Sequence, residues 1–426
     1  MRRLATRAVL FRTLTAFLIV YVSTQSTLSL AGSAPEQSDL AFWDAPHFKH
    51  SLLAKGGTPA AGGTVTSEFS CLNNTQTVRV LPEIVENLKL TILPDEAIDA
   101  RGTYFKIIKK NLLNVRRGPA NEVNMQNAIW IPKGPEGGCF AGGRIESDFD
   151  ICASWSEIKA YDPGSISWGQ NNIKIQGVYM HNVEDALRPH DGADVIVPSS
   201  PANTKFNPGD NFEVSHIWAE YVRDDCLEND AYAGGIIRDS LFDGCNTGFS
   251  ETPGMRTARI DPSDEAEARA KRRALDGRGK TVTLDGVLLR MQAMPNPNNP
   301  KAGDPVRNGT VYGGGPLFKV MDKAPRFSIK NSIFAFDARS SLTYNFPPLR
   351  ECSNNAIVWL GEGSFPGNFP RNCFTLTTDA NVWKNAVKDW HRRNPNVGKE
   401  FKPPVEKMDK LSWVECTGNQ NTPQIP

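Results

Sequence analysis

The sequence predicts an all-β chain built as a parallel β-helix, a single-stranded β-solenoid with loop insertions and end caps. Three observations predict it. A short pattern of apolar residue, polar residue, bend and second apolar run recurs five times in the middle of the chain. Gly 35 and Pro 30 among 426 residues favour many short elements joined by turns over a few long helices. Asn-Gly and Asp-Gly turns contribute little between consecutive strands, which argues against the alternative, a β-sandwich.

The five units are Ile175-Gln176-Gly177-Val178-Tyr179-Met180, Val214-Ser215-His216-Ile217-Trp218-Ala219, Ile237-Arg238-Asp239-Ser240-Leu241-Phe242, Leu284-Asp285-Gly286-Val287-Leu288-Leu289 and Ile329-Lys330-Asn331-Ser332-Ile333-Phe334. Their third positions favour residues that tolerate a left-handed backbone, so each unit reads as strand, sharp bend, strand. The bends step by 39, 23, 47 and 45 residues, and 23 is one solenoid turn. Such units bury their apolar face only by stacking.

Domain organisation follows. Residues 1–34 read as a signal peptide: Arg2, Arg3, Arg7 and Arg12 precede the apolar run from Leu14 to Val22, which is too short to span a bilayer. An uncleaved anchor is the alternative. Residues 35–75 are expected to form an N-terminal cap. Residues 76–375 form the β-helix, with inserted loops at about 132–165 and 254–280. Residues 376–426 supply a C-terminal cap helix and tail, because Trp383, Val387 and Trp390 recur at helical spacing. Residues 261–275 read as a solvated helix within the second loop, or a lid over a groove.

Export places the chain in a secreted or periplasmic compartment. Eight cysteines there suggest disulfides, and neighbours suggest Cys139 with Cys152, Cys226 with Cys245 and Cys352 with Cys373, leaving Cys71 and Cys416. Eight free thiols are the alternative. Lys+Arg 48 against Asp+Glu 47 gives a net charge of +1, which removes simple nucleic-acid and membrane-surface partners.

A second register follows the bends. Leu187, Leu227 and Phe249 align as inward residues of the next strand on three successive turns. Alternation then points Arg188, Glu228 and Ser250 outward, with His190, Asp230 and Thr252, while Asp185, Asp224 and Asp225 lead into that face. Two carboxylates on adjacent turns, about 4.8 Å apart, can divide into an acid and a base, which glycosidic cleavage requires. Arg188, Arg223 and Arg238, with Glu228 and Asp230, are candidate substrate-binding residues, since guanidinium groups bind carboxylates. No cofactor is expected. Asp224, Asp225, Glu228 and Asp230 could take Ca2+, but the EF-hand spacing is absent.

Asp224-Asp225-Cys226-Leu227 resembles the Asp-Asp-Cys-aliphatic motif of polygalacturonases, glycoside hydrolase family 28, within the pectate-lyase-like superfamily of right-handed parallel β-helices. The resemblance implies pectin hydrolysis with Asp224 and Asp225 as base and acid, Asp185 as a third carboxylate, and a bond from Cys226 to Cys245 on the next turn. It covers roughly residues 170–255. The family's Asn-Thr-Asp, Gly-His-Gly and Arg-Ile-Lys motifs are missing. Arg188-Pro189-His190-Asp191 resembles the Asp-Pro-His-Asp motif of mannuronan C5-epimerases, which implies His190 as a base in epimerase or lyase chemistry. The expectation is a carbohydrate-active enzyme on acidic polysaccharide, with a polysaccharide lyase or epimerase, or a non-catalytic glycan-binding solenoid, as alternatives.

Overall fold

The computed structural model describes residues 68–85, 88–107, 128–131, 135–153, 164–189, 209–229, 231–252, 276–295, 306–307, 310–336, 346–361 and 363–402. All lie within the compact unit that spans Leu40–Pro426. The leader, most of the expected N-terminal cap, the 261–275 segment, Cys416 and the C-terminal tail fall outside the described residues.

The architecture is all-β, with long parallel sheets in a stack, compatible with a parallel β-helix. One sheet has nine strands, in the order Thr77–Val80, Glu96–Asp99, Cys139–Ala141, Lys174–Gln176, Phe212–Ser215, Gly235–Arg238, Thr281–Asp285, Arg326–Lys330 and Leu349–Ser353. The second has fifteen strands. Its main row runs from Ile84–Val85 through Tyr179–His181, Trp218–Glu228 and Leu241–Glu251 to Phe374–Thr377. A side row of Leu88–Lys89, Ile129–Ile131, Ile166–Trp168 and Leu187–Pro189 joins the far half of Trp218–Glu228, and Phe318–Val320 continues it beyond Leu241–Glu251. Among the described residues, only a small three-stranded sheet around Thr310–Gly313 pairs antiparallel.

The core lies between the sheets and repeats rung by rung. Ile98, Phe140, Ile175, Val214, Ile237, Leu284 and Ile329 stand in register and are fully buried. Opposite them Ile145, Met180, Ala219, Phe242, Leu289, Phe334 and Ile357 form the matching column. The first rung breaks the pattern. Arg79 occupies the column position beside Ile98, and its guanidinium turns to Glu96 at 3.1 Å and to the Thr91 carbonyl.

Every bend named from the sequence is left-handed: φ is 65° at Gly177, 56° at His216, 40° at Asp239, 71° at Gly286 and 51° at Asn331. Gly142 and Asn354 extend the column at both ends. From Gly142 to Asn331 each corner N–H donates to the next rung, as Gly177 does to the Ser215 carbonyl at 3.1 Å and Asp239 to the Asp285 carbonyl at 2.9 Å. Glycine and asparagine tolerate this backbone best. Gly177 is further restricted, because a Cβ there would lie 2.4 Å from the Phe69 ring.

His216 and Asp239 stand at corners for another reason. They receive the C-terminal segment. The helix Ala380–Arg393 is capped by Asp379, whose carboxylate accepts the Asn381 N–H at 2.9 Å. It buries Trp383, Ala386, Val387 and Trp390 against Tyr179, Trp218, Leu241, Leu288, Ile333 and Ala356. Those residues form an outward column of the larger sheet, so the helix lies along the flank of the stack. Past it, the Asn394 carboxamide oxygen lies 2.9 Å from His216 Nδ1, Arg393 pairs with Asp239, and Trp390 Nε1 donates to the Asp239 carbonyl. Phe401 stacks on Tyr179 with ring centroids 4.9 Å apart.

Cys226–Cys245 and Cys352–Cys373 are bonded as their spacing suggests. The expected link of Cys139 to Cys152 is corrected: Cys139 bonds Cys71, 68 residues upstream. Cys139 sits on the outward side of the nine-stranded sheet beside Ala97 and Ala141, where the helix Ser70–Asn73 lays Cys71. Cys152 follows the strand Arg144–Ser147 in the other sheet and is in a separate disulfide. These bonds fit an oxidising compartment. Among the described residues no helix is long and apolar enough to cross a membrane.

Two outcomes follow. Gly177→Ala should lower stability by about 1–3 kcal/mol in chemical denaturation, through a strained backbone and the Phe69 contact. His391 lies buried edge-on to Trp218, and burial pushes its pKa down to about 4. The unfolded chain therefore binds a proton that the folded chain excludes as pH falls from about 6.5 towards 4. Thermal melts should show stability lost across that window, and His391→Phe should flatten the loss.

Candidate functional site

The site grows out of the two longest strands. Trp218–Glu228 and Leu241–Glu251 each run 11 residues through a corner that elsewhere separates two strands. Left-handed Tyr221 and Gly244 turn them, and the register shifts between Val222 and Asp225. Such a bulge re-aims side chains. Beyond it Leu187, Leu227 and Phe249 pair in register and are fully buried, as alternation requires. The disulfide Cys226–Cys245 ties the two rungs beside Asp225.

Asp185, Asp225 and Glu228 converge here. One oxygen from each carboxylate lies within 4.8 Å of the others, and all three residues are buried. Their positions are held by specific bonds. The Asp225 N–H donates to Asp185 Oδ1 at 3.1 Å. Arg188 Nε lies 2.7 Å from Glu228 Oε2 and 3.7 Å from Asp185 Oδ2. Lys319 Nζ lies 3.6 Å from Asp225 Oδ2. Lys319 is the accessible member, with its side chain 44% exposed against 1% for Asp225.

Asp224 stands apart from this trio. Its N–H is bound to the Glu184 carbonyl at 2.8 Å, and its carboxylate is not among the three converging groups. Arg223, expected to bind substrate, is fully buried, and its guanidinium donates instead to the Ile151 and Ala153 carbonyls. Arg238 lies on the nine-stranded sheet, 3.9 Å from Glu213, and so on a different sheet from Asp225 and Glu228. His190 and Asp230 fall outside the described residues, as does Asp191. Asn229 is structural: its amide donates to both Glu251 oxygens and to the Ala233 carbonyl, and closes the turn at Ala233.

Sequence reasoning missed Lys319. The structure pairs Phe249 with Phe318 and Ser250 with Lys319, which extends the outward row of Arg188, Glu228 and Ser250 by one rung. The only signal was Leu317-Phe318-Lys319, separated from Ser250 by the second inserted loop and five further strands.

The oxygen-only donor set of Asp185, Asp225 and Glu228 suits a hard cation such as Ca2+. Arg188 already neutralises part of its charge. The arrangement can bind hydroxyls, hold a proton between close carboxylates and meet an anion at Lys319. Comparison with known proteins adds no family: no family model matches the chain, and no curated protein or solved structure matches it significantly.

The ion pair is buried, so its halves are interdependent. Arg188→Met should cost about 3–5 kcal/mol by leaving carboxylates without their cation. Adding Glu228→Gln should recover part of that loss in the same denaturation assay. Full additivity of the two substitutions would show that the groups are not coupled.

Proposed function

We propose that this chain is a secreted right-handed parallel β-helix that hydrolyses glycosidic bonds in an acidic polysaccharide. The convergence of Asp185, Asp225 and Glu228 between Arg188 and Lys319 supports the reading most directly. Asp185 and Asp225 serve as the acid and base pair. One gives its proton to the leaving oxygen as the glycosidic bond breaks, and the other takes a proton from the attacking water. Glu228 is held by Arg188 and orients the pair. Lys319 meets a carboxylate of the polymer at the accessible end of the row. Ca2+ on Asp185, Asp225 and Glu228 would keep all three ionised and remove the acid, so an ion held there would compete with this chemistry. The polygalacturonase-like Asp-Asp-Cys motif agrees in chemistry, with Asp185 taking the place that the motif alone gives to Asp224.

The test is a screen of the wild type and Asp225→Asn against pectate, alginate and neutral glycans. Reducing ends and unsaturated products are read together. The reading expects reducing ends from an acidic polymer without unsaturated product, at least about 100-fold fewer with Asp225→Asn, and an unchanged melt. Unsaturated product, or exchange of the sugar C5 hydrogen with solvent, would replace it with lyase or epimerase chemistry and bring His190 forward. Glycan binding without products, insensitive to Asp225→Asn, would make the protein a non-catalytic binder.

A further inference from the structure

Residues 148–153 leave the stack. After the strand Arg144–Ser147 the chain crosses the corners of the two following rungs, fastened by side chains at each. At the first, Ser147 Oγ donates to the Asn182 carbonyl and Asn182 Nδ2 donates to the Phe149 carbonyl at 2.7 Å. At the second, the Tyr221 hydroxyl and Arg223 Nη1 both donate to the Ile151 carbonyl, at 2.8 and 2.9 Å, and Arg223 Nη2 donates to the Ala153 carbonyl. The guanidinium lies 5.0 Å from the centre of the Tyr221 ring. The segment is braced within itself too, since the Cys152 N–H donates to the Asp150 carboxylate at 2.8 Å, and a disulfide at Cys152 ties it to a residue outside it.

These two corners lead into the carboxylates. Asn182 precedes Asp185 by three residues, and Arg223 precedes Asp225 by two. The corners also stack on each other, with the Arg223 and Asp224 N–H groups donating to the Val183 and Glu184 carbonyls at 2.8 Å. Asn182 and Tyr221 are both left-handed, and for a ring as large as tyrosine that backbone is uncommon and costs about 1–3 kcal/mol. A conformation of that kind persists only where its surroundings hold it.

We infer that residues 148–153 are a clamp that positions the Asp185 and Asp225 carboxylates, and that Arg223 is its positioning residue. The inference rests on reading that carboxylate cluster as the functional site. It replaces the substrate-binding role that sequence alone gives Arg223. A planar fork is needed because two carbonyls, two residues apart, must be held at once, and lysine cannot span them in the same way.

The experiment compares the full-length wild type with Arg223→Lys and with the milder Tyr221→Phe, by hydrogen exchange of peptides covering 148–153 and 223–228. Exchange in both segments should rise together, by about tenfold in Arg223→Lys, and kcat on the acidic polymer should fall about tenfold with KM unchanged. Faster exchange in 148–153 with 223–228 and kcat unmoved overturns the clamp, as does no change in either segment. Asp225→Asn separates the two readings. It should remove turnover without altering exchange in either segment. Turnover that survives it sinks the hydrolase reading, while the exchange result still decides the clamp.

Discussion

Backbone stacking from rung to rung is the constraint on which everything else depends. A strand of the two parallel sheets does not form a hairpin with its neighbour in sequence. It pairs with the strand one full turn later, in parallel and in register. Each turn must therefore change direction at the same place, and the corner residues must adopt a backbone that most side chains avoid. The column of Gly142, Gly177, His216, Asp239, Gly286, Asn331 and Asn354 meets that demand, with hydrogen bonds passing through the corner itself. Asparagines also link side chain to side chain there, as Asn354 does with Asn331 at 2.8 Å. Once the corners coincide, inward residues stack into a core and outward residues stand one rung apart.

The carboxylate cluster arises where that regularity is relaxed. On the two longest strands a corner is absorbed into continuous pairing, at the expense of a bulge and a left-handed tyrosine. This brings Asp185, Asp225 and Glu228 together below the level of the surface, with Arg188 among them and Lys319 at the rim. A buried group of charges of this kind is a poor source of stability, because desolvation opposes the gain from pairing. Its upkeep falls to the surrounding bonds: the Asp225 amide on Asp185, the disulfide beside it and the carbonyl contacts of Arg223.

What could be read from the sequence was local and periodic. The bends at Gly177, His216, Asp239, Gly286 and Asn331 were legible because the left-handed backbone restricts residue choice. Leu187, Leu227 and Phe249 were legible because alternation has a period of two. The helix at Ala380–Arg393 was legible from its tryptophan spacing, but its place along the flank was not, since the outward column it covers is assembled from six separate rungs. The same limit hid Lys319, the bond of Cys71 to Cys139 and the partners of Arg223. Each joins residues at least 68 positions apart through loops whose lengths follow no repeat. Asp224 and Asp225 looked equivalent in sequence, and only the bulge distinguishes the one that joins the cluster.

Among the described residues, the inward column of the nine-stranded sheet begins with a charge and ends with a cystine. Arg79 stands below Ile98 on the first rung, and Cys352, bonded to Cys373, stands above Ile329 on the last. A stack of parallel strands is in principle a template: each exposed edge can order another strand, which is how cross-β fibres grow without limit. A guanidinium at the growing end cannot be covered by an apolar side chain of an incoming copy without losing its water and its Glu96 partner. The covalent bond at the opposite end returns the chain on itself. Among the described residues, the nine-stranded sheet thus ends on a charge at one edge and on a cystine at the other.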